Sequence, residues 1–172
     1  FYHHPSELEH VSHLESMCQT VQVVPAPVLR VDPLARLVRP FLAPCDIVMP
    51  RCSADMAVAL EDQLSKGDFD LVHFDDLGVV AYVRLASSLP TVLSKHNLEW
   101  IIKRRTIEQK TGFSRGKASA YLEWYALRSY EGRVACLFDQ IIVVSEVDRY
   151  ALARLCPLST ISVVPNGVDT TY

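Results

Sequence analysis

The side chains best suited to handling protons and hydroxyl groups gather at the ends of two strand-like runs. His73, Asp75 and Asp76 close "DLVHFDD", and His96, Asn97 and Glu99 follow "LPTVLSK". Carboxylates in such places accept hydrogen bonds from the hydroxyls of a bound molecule, and one of them can act as a base. Each residue also has a plainer use. Asp76 is a natural N-cap, His96 can cap the helix that follows it, and Asn97 and Glu99 can bind a hydroxyl or simply begin that helix. Lys103, Arg104 and Arg105 form a basic run that either grips a phosphate through forked, charge-assisted contacts or lies as a solvated helix face. Ser145 and Glu146 can cap a helix or stand at the floor of a cleft.

His3, His4, His10 and His13 invite a metal reading, with His10 and His13 three apart on one helix. No acidic or cysteine ligand is spaced to complete a tetrahedral set, so no metal site is expected.

These groups need a scaffold, and the chain reads as alternating strands and helices. Phe1 and Tyr2 look like the tail of a strand, and Ser6 with Glu9 reads as a capping box opening a helix. "TVQVVP" is a short strand, and Asp32-Pro33 starts a short helix that Pro40 limits. "SADMAVALEDQLSKG" is an amphipathic helix from Ser53, closed by Lys66 and Gly67, with Met56, Leu60 and Leu64 on one face. "FDLVHF" is a strand, "LGVVAYVRLASS" a helix and "LPTVLSKH" a strand. Helices over 98–109 and 115–137 follow, broken at Thr111-Gly112. "DQIIVVS" reads as a strand buried on both faces. Ser145 and Asp148 cap the next helix, and "TISVVP" is the last strand. Strands separated mostly by helices imply an α/β fold with a Rossmann-like, doubly wound parallel sheet, in which ligands collect beyond the carboxyl ends of strands.

Composition narrows the class. With 172 residues, 49% hydrophobic and 22% charged, the chain suits one globular domain with a sizeable core. A net charge of −3 provides no basic field, so no nucleic-acid partner is expected. The five cysteines are scattered without a C-x-x-C pair, as reduced thiols in a cytoplasmic protein would be. No apolar run approaches the roughly 20 residues that span a bilayer, and the first residues lack a basic segment followed by an apolar stretch, so neither a membrane span nor an export signal is expected.

Taken in order, "FDLVHFDDLGVVAYV", "LPTVLSKHNLEW" with "KRR", "RSYEGRVACLFDQIIVVSEVDRYAL" and "ISVVPNGVD" resemble the N-terminal half of a retaining glycosyltransferase of GT-B fold, of the family-four, group 1 type. The resemblance implies an acceptor-side domain over 1–165, the start of an interdomain hinge over 166–172, and a donor-binding C-terminal domain outside this sequence. It also implies that the first strand, glycine-rich loop and first helix of the family precede Phe1, so that this stretch alone is expected to be inactive. His96 would be the catalytic residue, contacting the donor sugar while its backbone helps stabilise developing positive charge. Asp75, Asp76, Asn97, Glu99, Arg104 and Arg105 would contact acceptor or donor sugar. Ser145, Glu146, Asn166, Gly167 and Asp169 would serve cleft or hinge, with Gly167 permitting a positive φ.

The expected substrate is a nucleoside-diphosphate sugar, with no tightly bound cofactor and no metal. The expected setting is polysaccharide or glycolipid synthesis in the cytoplasm. A GT-B epimerase and a non-catalytic Rossmann-like binding module are the alternatives. Independently of the family, "VLRVDPLARLVRPFLAP" alternates apolar residues with arginines. Leu34, Arg36, Leu37, Arg39 and Phe41 either contact an anionic membrane peripherally or form a core-packed helix with exposed arginines.

Overall fold

A computed structural model describes residues 5–26, 53–109, 115–168 and 170. The segment read as membrane-facing, the Asp32-Pro33 helix start and Asp169 lie outside the described residues.

The centre is a parallel sheet of four strands in the order β1-β2-β3-β4. They are Val72–Phe74 (β1), Thr91–Lys95 (β2), Gln140–Val143 (β3) and Thr160–Val163 (β4). Val72 pairs with Thr91, Leu93 with Ile141, and Val143 with Val163, which aligns the carboxyl ends along one rim. The fold is α/β and Rossmann-like, as the sequence pattern implies. Among the described strands the order never reverses, so they form one wing of such a sheet.

Thr20–Pro25, read as a further strand, joins no ladder and makes only an isolated bridge at Pro25. Proline has no N–H to give a ladder, so pairing stops there even though Val24 is buried. β3 is half-buried on one face and buried on the other, not buried on both.

Before β1, Pro5–His10 is a 3₁₀ turn and Val11–Glu15 (α1) a single turn of α-helix. The capping box at Ser6 and Glu9 does not open it, since α1 starts from His10 without a side-chain cap. Ala54–Lys66 (α2) begins where the sequence predicts: Ser53 Oγ accepts from Met56 N. Tyr82 locks that start from outside, its hydroxyl accepting from Ser53 N at 2.6 Å. Met56, Leu60 and Leu64 pack on the core.

Between β1 and β2 the residues Leu77–Ala86 form a 3₁₀ helix, not the α-helix expected. A glycine and three β-branched valines weaken the α form. Burial of Leu77, Val80, Tyr82, Val83 and Ala86 holds the tighter winding in place. Glu99–Glu108 (α3) and Arg115–Ala135 (α4) pair between β2 and β3, and Glu146–Ala153 (α5) links β3 to β4. Leu93, Ile141, Val143 and Leu152 are fully buried at the centre of the core. Phe74 and Phe138 meet edge to face at 5.2 Å beside them. At Gly132, α4 comes so close to the end of α5 that an added Cβ would sit 3.1 Å from Leu155 Cβ.

Candidate functional site

The rim at the carboxyl ends of β1 and β2 gathers the residues that could do chemistry. A cleft of about 190 Å³ opens there, lined by Asp76, Ser94, Lys95, His96, Asn97 and Glu99, with Leu77 as its apolar wall. A larger hollow of about 630 Å³ lies before the amino end of β1, among Gln19, Gln22, Gln63 and Lys66. It holds amides, one lysine and one carboxylate, Asp68, but lies away from the carboxyl ends of the strands, where ligands of such folds collect, so the smaller cleft is the better candidate.

His96 follows β2 and Asp75 follows β1. The parallel register sets these two turns side by side, and His96 Nε2 lies 3.1 Å from Asp75 Oδ1. Both side chains are open to solvent, 53% and 75% exposed, so the contact orients the imidazole more than it stabilises the fold. Two residues back along each strand, His73 Nε2 and Ser94 Oγ share a hydrogen bond of 2.7 Å. Asp76 stands at the N-cap position of the 3₁₀ helix, but its side chain makes no cap bond there.

Beneath the cleft lies an ion pair excluded from water. Lys95 Nζ is 2.6 Å from Glu131 Oε1, with side-chain exposures of 3% and 0%. The Glu131 carboxylate also accepts from the backbone N–H groups of Glu99 (3.3 Å) and Trp100 (3.2 Å), the first two residues of α3. Leu98, the N-cap of α3, has no side-chain acceptor to offer, so a residue from α4 takes that role.

Glu99 sits between these charges. Burial pushes its carboxyl above the ordinary carboxylate range, Lys95 opposes that shift, and Glu131 and Asp76 reinforce it. With Lys95 engaged by Glu131, the cleft presents carboxylates, a hydroxyl, an amide and an imidazole. That set suits the hydroxyl groups of a neutral ligand.

The remaining predicted residues lie elsewhere. Lys103 pairs with Glu123 on α4 at 2.7 Å, and Arg104 pairs with Glu108 at 2.7 Å while covering the Trp124 ring. Arg105 is exposed on α3. Lys103 and Arg104 thus serve the α3–α4 hairpin, and none of the three residues lines the cleft. Ser145 caps α5, accepting from Asp148 N at 3.1 Å and donating to Asp148 Oδ2 at 2.6 Å, and Glu146 pairs with Arg149. Asn166 and Gly167 are exposed beyond β4. Gly167 adopts no left-handed φ, and a Cβ there would meet open space, so the positive φ expected of it is not used.

Glu131 was not among the residues the sequence singled out. Its signal was present, though: it falls on the buried stripe of α4 with Leu127 and Val134, where an acidic side chain demands a partner. Among the described residues, no group of three metal-ligating side chains is close enough to hold an ion, and no helix is long and apolar enough to cross a membrane.

No curated protein matches the chain. The profile of glycosyltransferase family 4 matches residues 8–172, nearly the whole of the sequence, and the chain belongs to that family.

Proposed function

We propose that this family 4 glycosyltransferase chain is the acceptor-side domain of a retaining, sugar-nucleotide-dependent enzyme of GT-B architecture, acting in polysaccharide or glycolipid synthesis at the cytoplasmic side. The observation that carries the reading is His96, held beside Asp75 at the mouth of a hydroxyl-suited cleft on the carboxyl rim of the sheet.

In such a transfer the bond between the sugar's anomeric carbon and the diphosphate oxygen breaks, and a bond from that carbon to an acceptor hydroxyl oxygen forms on the same face. The nucleoside diphosphate leaves with the bonding pair, and the acceptor proton follows it or passes to a carboxylate. Positive charge builds on the sugar ring in between. Fixed dipoles at a strand end and the carboxylates of Asp75, Asp76 and Glu99 stabilise that charge without having to reorganise. Asn97 and the same carboxylates orient hydroxyls. The nucleotide itself is held by a second domain beyond residue 172, across the hinge that begins near Asn166 and Gly167.

The test uses the protein expressed from its complete reading frame, incubated with UDP-glucose, UDP-N-acetylglucosamine and GDP-mannose while nucleoside diphosphate release and product linkage are followed. Transfer with retained anomeric configuration that His96→Ala reduces by about 100-fold or more supports the reading. A sugar nucleotide returned as its epimer, or transfer indifferent to His96→Ala, overturns it.

A further inference from the structure

We propose that Glu131 is the positioning residue of the His96–Glu99 turn: one buried carboxylate latches both the end of β2 and the start of α3, and so fixes where His96 stands. The importance of His96 rests on the function proposed above, whereas the latch itself stands on geometry alone.

The turn is short. Lys95 precedes it and Glu99 ends it, and both are tied to the same group, Lys95 through Nζ at 2.6 Å and Glu99 through its N–H at 3.3 Å. Trp100 N–H adds a third contact at 3.2 Å on the other oxygen. Leu98 anchors the middle, 2% exposed, while Ile101 N–H turns back to Leu98 O at 2.9 Å. Only His96 and Asn97 are left outside, and they face the cleft. Between them, Glu131 and the turn's own backbone account for the first N–H groups of α3.

A buried ion pair is a costly way to hold two elements together. Apolar residues of similar volume are often as stable or more so, and the gain from such a pair is then one of geometric specificity. Here the specificity is directional. A carboxylate accepts several hydrogen bonds at set angles, which an apolar contact cannot do. The same contact engages the Lys95 ammonium at the base of the cleft, so that this cation does not compete for the hydroxyls there.

The test compares wild type, Glu131→Gln and Lys95→Met/Glu131→Gln in the protein from its complete reading frame. The double variant leaves no charge buried alone and keeps the experiment valid if Glu131→Gln fails to fold. Amide hydrogen exchange is read by mass spectrometry over 96–102 and, as an internal reference, over 140–143. We expect exchange over 96–102 to quicken about tenfold or more with the reference unchanged. With whichever sugar nucleotide turns over, kcat per folded molecule should fall about tenfold while its KM holds. Unchanged exchange over 96–102 in a folded variant overturns the latch. Faster exchange with an unchanged kcat overturns its positioning role. Failure of the transferase reading shows separately, as transfer that ignores His96→Ala.

Discussion

Asp139, the residue before β3, holds Thr91, the first residue of β2, by a reciprocal pair of contacts. Its Oδ2 accepts from Thr91 N at 2.8 Å and from Thr91 Oγ1 at 2.9 Å, while Asp139 N donates to Thr91 Oγ1 at 3.3 Å. The clamp sits at the amino ends of the two central strands, opposite the rim that carries the cleft.

Those hydrogen bonds, first the Thr91 N–H and then the hydroxyl, hold the Asp139 carboxyl below the usual carboxylate range. A depressed folded-state pKa contributes stability that is present above the unfolded value, near 4, and is lost as pH falls through the folded one. Asp139→Asn should therefore lower the melting temperature at pH 7 and shrink its fall between about pH 5 and 3. Thermal unfolding across that range checks this. Parallel curves for the two proteins would exclude the clamp as a source of acid sensitivity.

Glu99 works with the opposite sign. Its carboxyl is raised, chiefly by burial, so the protonated form suits the fold and stability falls as pH rises through the folded-state value. Glu99→Gln should melt higher than wild type at pH 7, with the gap closing below about pH 4. Paired melting curves at the two pH values decide it. A variant that melts lower at neutral pH would mean that the charged form is the one the fold prefers.

Ser145 both accepts the Asp148 N–H and donates to its carboxylate at the start of α5. Replacing it with alanine should cost about 1 kcal/mol in urea-induced unfolding, with an unchanged denaturant slope. A loss near zero would show that Asp148 caps the helix unaided.

Cys156 is buried, its Sγ donating to Gly132 O at 3.0 Å, and burial first and contact with Cys136 second push its thiol up to about 12. Alkylation by iodoacetamide at pH 8 should mark Cys18 and Cys136, which are exposed, and reach Cys156 only after unfolding. Peptide mass spectrometry separates the sites. Early labelling of Cys156 in the native protein would show that the end of α5 opens readily.

The parts of the fold that were legible in the sequence are those in which local chemistry and burial agree. Ser53 and Gly67 bracket α2 because a hydroxyl acceptor and a chain-breaking residue act within one turn of themselves. β2, β3 and β4 stand out as short β-branched runs with polar ends. The 3₁₀ winding of Leu77–Ala86 was hidden because composition sets helix against strand, not one helix against another, and packing against β1 and β2 chose the tighter form. The site divides the same way. His96 and Asp75 could each be placed at a strand end, but their meeting at 3.1 Å depends on which strands are neighbours. Glu131 lies more than thirty residues from the turn it holds, and a contact over that separation leaves only an acidic residue on an apolar stripe as its trace.

The unbroken strand order has a consequence for how this chain comes off the ribosome. Each described strand after β1 pairs with the described strand made just before it, so its template is already synthesised when it emerges. The sheet can lengthen at its newest edge as translation proceeds, and no described strand must wait for a later one to be inserted beside it. A nascent chain that grows in this way adds each new strand to an edge already formed, which limits the time during which that strand's unpaired backbone is available to other chains.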